Sequence, residues 1–133
     1  MYTIKEVAEK MDLSEHTIRF WAKSGFFPFI KRSDTNIRLF DDYDLEWVKI
    51  VKCLRVAGVE SKEIKRYIEL CLEGDSTVPE RYDIIMRTKE KTREQIKELM
   101  EQMVLLEYKE AFYKNIMKNN LKDNIQIEER IAI

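Results

Sequence analysis

Three groups of side chains in this 133-residue sequence carry chemistry. The first is His16, Thr17 and Arg19, set among Glu15, Phe20 and Lys23, a short stretch whose donors and acceptors can reach base edges or phosphates by hydrogen bonds. Lys31, Arg32 and Arg38 form the second, on either side of Ser33-Asp34-Thr35-Asn36. They are charges suited to phosphate oxygens, and each such contact adds about 0.9 to the salt slope of binding. The third is the pair of thiols, Cys53 and Cys71, too few for a disulfide scaffold and expected to stay reduced. Lys49, one turn before Cys53, and the adjacent Lys52 would raise its thiolate fraction, whereas filling core volume is the competing role for a free cysteine. Cys71 sits near a helix C-terminus, where the negative dipole end disfavours a thiolate, so a structural role is expected.

Other chemistries find little support. His16, Cys53 and Cys71 fall on three separate helical segments, too dispersed for the roughly four soft or borderline ligands of a metal site. Without a Gly-rich phosphate loop or a nucleophile with its base, no catalytic constellation is expected, and no cofactor. The sequence has no run near the ~20 apolar residues of a membrane span. Its start, Met1-Tyr2-Thr3-Ile4-Lys5-Glu6, lacks a secretory pattern, so the cytoplasm is the expected compartment. The net charge of −1 argues against nonspecific coating of nucleic acid. It conceals an asymmetry: residues 1 to 40 carry seven bases against five acids, while 41 to 75 carry six against nine. A small, oriented basic face is compatible with that distribution.

The elements that must position these groups are marked by closely spaced helix starts. Thr3 and Glu6 form a capping box ahead of the stripe Ile4, Val7, Ala8 and Met11. Ser14 caps a second helix, with Leu13 and Ile18 as its hydrophobic staple, Ile18 with Trp21 or Ala22 inward, and Ser24-Gly25 as its stop. Two short helices joined by so tight a link predict a helix-turn-helix whose second helix offers its exposed side chains to the major groove. Pro28 then bars helix, and Phe29-Ile30-Lys31-Arg32 and Ile37-Arg38-Leu39-Phe40 alternate as strands around a turn, giving a hairpin with a basic tip. Asp41 or Asp42 caps a helix to about Ala57, with Leu45, Val48, Val51 and Leu54 inward and Gly58 as terminator. Ser61 is expected to cap the next helix, through Ile64, Tyr67, Ile68 and Leu72 to Gly74.

A different segment follows. Thr77-Val78-Pro79-Glu80 reads as a capping box with proline in the first turn, and neither Gly nor Pro occurs afterwards. Tyr82, Ile85, Ile96, Leu99, Met103 and Leu106 keep a three-four spacing across the polar stretch Arg87 to Gln95, before the register shifts to Leu105, Tyr108, Phe112 and Ile116. A lone helix of about forty residues cannot bury such a seam, so pairing with a second copy is expected, folding back on its own N-terminal part being the alternative. The expected organisation is a winged helix-turn-helix domain over 1–75, a coiled-coil dimerisation helix over 76–118 and a C-terminal tail over 119–133. The fold class is all-α with a small β-hairpin wing.

Tyr2-Thr3-Ile4-x-x-Val7-Ala8, Ser14-x-x-Thr17-Ile18-Arg19-Phe20-Trp21, Gly25-Phe26-Phe27-Pro28, Arg38-Leu39-Phe40 and Asp44-Leu45 together resemble the N-terminal domain of the MerR family of bacterial transcription regulators, in order and spacing. Leu45-Glu46-Trp47, Val51-Lys52-Cys53-Leu54-Arg55 and Ile68-Glu69-Leu70-Cys71-x-x-Gly74-Asp75 are similar to the AdhR/NmlR-like branch. Trp21, Ala22 and Asn36-Ile37 depart from the residues common there: Tyr, Glu and Gly-Tyr. The resemblance implies an antiparallel coiled-coil homodimer on promoter DNA, bending and untwisting an overlong spacer so that RNA polymerase can engage both promoter elements. It implies DNA contacts from Thr3, His16, Thr17, Arg19, Phe20, Lys31, Arg32 and Arg38, with Cys53 matching the branch's reactive cysteine and sensing an aldehyde or other electrophile. Phe20 has no hydroxyl and would pack on sugar, and capping alone accounts for Thr3 equally well. A coiled-coil interaction module whose winged domain binds a protein partner is the alternative.

Overall fold

A computed structural model describes residues 1–119 of the chain. The tail expected over 119–133, with its apolar Ile131 and Ile133, lies outside the described residues except for Asn119. Five helices and one hairpin follow in the order α1 (Ile4–Met11), α2 (Glu15–Lys23), β1 (Lys31–Arg32), β2 (Arg38–Leu39), α3 (Asp42–Val56), α4 (Ser61–Glu73) and α5 (Val78–Asn119), with a 3₁₀ turn at Asp75–Thr77. Met1–Thr92 forms one body, and the chain from Arg93 onward forms another.

Local rules set most boundaries in the first body. Thr3 closes the expected capping box with Glu6, its hydroxyl accepting from the Glu6 amide at 3.3 Å while the Thr3 amide donates to Glu6 Oε1 at 3.2 Å. Asp12 ends α1 in the left-handed conformation, at φ 53°. Lys52 then donates to the Met11 carbonyl at 2.7 Å, satisfying an open helix end from α3. Ser14 caps α2 through the Thr17 amide at 3.0 Å. Gly25 follows α2 at φ 85°, where a Cβ would stand 3.3 Å from Lys65 Cε, so both conformation and space favour glycine. Between the two candidates for capping α3, Asp41 is the cap and makes a reciprocal box with Asp44.

Inside this body Val7, Ile18, Trp21, Phe26, Phe40, Val48, Val51, Leu54, Ile64 and Ile68 share one buried core, with Phe27 edge-on to Phe40. Phe40 and Tyr2 exchange backbone hydrogen bonds of 2.6 and 2.8 Å, clasping the base of the hairpin to the start of α1. Tyr2 also donates its hydroxyl to Asp42 at 2.9 Å; that bond and the carboxylate's charge raise its pKa above the usual 10.0.

Three expectations fail. Glu60, not Ser61, is the boundary residue of α4, without a side-chain cap. Val59 and Ile64, on either side of it, both sink into the core, the placement of a hydrophobic staple that overrides Ser61's propensity. Leu72 is 57% exposed, and Leu70 is fully buried instead. The Thr77–Glu80 capping box does not form. Thr77 is buried, its hydroxyl 2.6 Å from the Leu70 carbonyl and 2.8 Å from that of Gly74, and it accepts from Arg81 Nε at 3.0 Å. Open carbonyls at the end of α4 claim the hydroxyl, and Glu80 pairs with Arg66 instead, at 3.6 Å. The first turns of α5 belong to this body, with Ile84 buried and Ile85 packed on the core.

The second body is helical to Asn119 and leaves its apolar residues open, including Ile96, Leu99, Met103 and Leu106 of the expected seam, each more than half exposed. No described helix is long and apolar enough to cross a membrane.

Candidate nucleic-acid interface

The hairpin register decides which charges meet. Lys31 pairs with Leu39 and Arg32 with Arg38, so the two arginines stand opposite each other on one face. Like charges in that relation destabilise a hairpin, an arrangement that an anion between them would relieve. Arg32 is steadied by Asn36, donating to its carbonyl at 3.2 Å and to its side-chain oxygen at 3.3 Å. Asn36 can make that turn because it holds a left-handed backbone at φ 63°. By alternation Lys31 lies on the other face, where its charge lowers the pKa of Asp44 while burial, the larger effect, raises it above the ordinary 3.8.

A groove of about 300 Å³ runs between the start of α1, the start of α2 and the hairpin, lined by Thr3, Lys5, Glu15, Arg19, Arg32 and Arg38 among others. Four of the expected contact residues therefore converge: Thr3, Arg19, Arg32 and Arg38. The Tyr2–Phe40 clasp holds the walls of this groove together, since it ties the residue before Thr3 to the residue after β2. Arg19 Nη2 lies 3.1 Å from Glu15 Oε1, an exposed pair one helical turn apart. A pair of that kind contributes little stability, so the guanidinium remains free to exchange partners.

The other expected residues sit differently. His16 and Phe20 are exposed on α2 but do not line the groove, and Lys31 does not line it either. Thr17 is half-buried, with its hydroxyl 2.8 Å from that of Ser14. Thr3's hydroxyl is engaged with Glu6, so the capping role expected of it is present. Lys5 was missed by sequence reasoning. The available signal was its place in the first turn of α1, two residues beyond Thr3, where backbone amides and a cation meet an anion together.

The two thiols differ in burial. Cys53 is exposed, which removes the core-filling role. Cys71 is half-buried, and Arg81 Nη1 stands 3.9 Å from its sulfur. Tyr67 has its pKa raised by burial and then by the neighbouring Cys71. Among the described residues no group of three or more His, Cys, Asp or Glu side chains is placed to hold a metal ion.

Helix-turn-helix, hairpin wing and helix pair, with a cationic groove between them, define a winged helix-turn-helix protein. Residues 2–71 match the family described as MerR HTH family regulatory protein. An uncharacterised HTH-type transcriptional regulator of Haemophilus influenzae is 39% identical over 84% of this chain and 83% of its own. The HTH-type regulator AdhR of Bacillus subtilis is 37% identical over 62% of this chain and 59% of its own. The crystal structure of HiNmlR, a MerR family regulator lacking the sensor domain and bound to promoter DNA, superposes with a TM-score of 0.82 at 37% identity, over 90% of this chain and 95% of that one. The chain belongs to the MerR family, as a transcriptional regulator of the AdhR/NmlR-like branch.

Proposed function

We propose that this regulator binds promoter DNA as a homodimer, with α2 of each copy in successive major grooves and the hairpins on the flanking backbone. The convergence of Lys5, Arg19, Arg32 and Arg38 on one groove carries this reading, and HiNmlR's complex with promoter DNA supports it. His16, Thr17 and Arg19 serve base edges or phosphates, Phe20 packs on sugar, and Thr3, Lys31, Arg32 and Arg38 meet phosphate, Lys31 from the opposite face of the wing. Residues 1–75 then carry DNA binding, 76–118 pairing through an antiparallel coiled coil, and 119–133 a tail. The chain works in the cytoplasm, without catalysis or cofactor. Bending the spacer costs about 1–6 kcal/mol, which the wing contacts offset, and lets RNA polymerase engage both promoter elements.

Cys53, exposed on α3, is the sensor in this reading, taking up an aldehyde or another electrophile. The test is footprinting and transcription in vitro on the gene's own upstream promoter. Protection of two half-sites around a distorted centre is expected, with an aldehyde response that disappears in Cys53→Ser. Uniform cleavage along that promoter would refute the DNA reading, and an aldehyde response unchanged in Cys53→Ser would refute the sensor.

A further inference from the structure

Glu15 is out of place by charge. Its carboxylate lines the same groove as Lys5, Arg19, Arg32 and Arg38, where it repels any approaching phosphate. The pair with Arg19 does not explain it, because an exposed pair with side chains 53% and 43% accessible adds little to stability. Glu15 is also the first residue of α2, and N-terminal residues of a recognition helix are the ones brought to base edges. Only Oε1 is engaged with Arg19, and Oε2 has no partner among the described residues.

We propose that Glu15 is a specificity-determining residue of the interface, its free carboxylate oxygen accepting a hydrogen bond from an exocyclic amino group on a base edge, cytosine N4 above all. The inference rests on the reading of α2 as the recognition helix. A carboxylate is an acceptor only, so it is met by the amino group of cytosine and repelled by guanine O6 and N7 or thymine O4. It thus lowers affinity for every duplex except those offering a donor at that position, which is how discrimination is built from repulsion as well as attraction. Arg19 Nη2, 3.1 Å from Oε1, leaves Oε2 open and keeps its remaining donors for guanine or phosphate.

The test is selection of full-length protein on randomised duplex DNA, with wild type, Glu15→Ala and Glu15→Gln compared and folding checked by thermal melting. Wild type should enrich cytosine at one position of each half-site. Glu15→Ala should lose about tenfold of discrimination there, keep the rest of the motif, and bind random duplex several-fold more tightly. Glu15→Gln should shift that position towards adenine, whose N6 and N7 an amide matches. Selection of an unchanged motif by Glu15→Ala would overturn the inference. A folded wild type that enriches no motif would overturn the DNA-binding reading and this inference with it, a failure seen in the parent rather than the variant.

Discussion

Arg32 and Arg38 face each other across a hairpin whose ladder spans only two residues per strand, so their repulsion is not diluted by a large sheet. Arg38→Thr should therefore leave the melting temperature unchanged or slightly higher while weakening promoter binding, which separates a binding role from a structural one. Asp44 offers a second residue-level test, because burial raises its pKa above 3.8. A carboxyl with a raised folded-state pKa stabilises the fold fully below its unfolded value, and that contribution is lost as the pH climbs through the folded value. Asp44→Asn keeps an acceptor for the Asp41 amide without the buried charge. Denaturation between pH 3 and 7 should show a flatter pH dependence in this variant and no loss of stability at neutral pH, whereas Asp44→Ala should cost about 1 kcal/mol. Much of the site is legible in the sequence: residue type and element point to Thr3, Arg19, Arg32 and Arg38, and they share the groove. Lys5 and Glu15 escape as groove-lining residues because membership depends on how the N-termini of α1 and α2 meet the wing, a tertiary fact. Cys53 stays undecided from sequence because its helix phase puts it at the edge of the buried stripe, and only packing shows it exposed.

Element boundaries are most readable where one local rule acts alone. Thr3, Ser14 and the Asp41–Asp44 box are examples, as is the turn Ser33 to Asn36. Rules fail where two elements compete for the same group. Thr77 has the sequence of an N-cap for α5 yet spends its hydroxyl on carbonyls at the end of α4. Thr77→Val preserves the shape and removes the hydroxyl, leaving Arg81 Nε without that acceptor, so a loss of about 1–3 kcal/mol is expected in urea denaturation. A neutral result would mean that water replaces the hydroxyl at no cost. In α5, the periodicity picks out Ile85, which packs on the core, but not Ile84, which is buried. At this scale the polar stretch Arg87 to Gln95 is informative. Arg87 pairs with Glu63 at 3.3 Å and Lys91 donates to the Gly58 carbonyl at 3.1 Å, so part of what reads as an interruption of the seam packs the first turns of α5 within the first body.

For the whole molecule, the decisive fact is that the helix beyond Arg93 exposes Leu99 at 69%, Met103 at 54% and Leu106 at 62%. A helix of 42 residues with such a stripe is stabilised in water by burying it against a partner. Leu99→Asp should convert the proposed dimer into monomers in sedimentation equilibrium while leaving the melting of the first body nearly unchanged. Operator affinity should fall with it, because two half-sites held together gain by effective concentration what each lacks alone. The most direct measurement of the central claim is a titration of the full-length protein on its own upstream promoter and on scrambled DNA, at two salt concentrations, with wild type and Arg19→Ala. The account predicts tight, salt-sensitive wild-type binding that prefers the promoter, weakened at least about tenfold in Arg19→Ala, with a salt slope shallower by about 0.9 for each phosphate that the variant no longer neutralises. Equal affinity for promoter and scrambled DNA, with the same slope in both proteins, would contradict it.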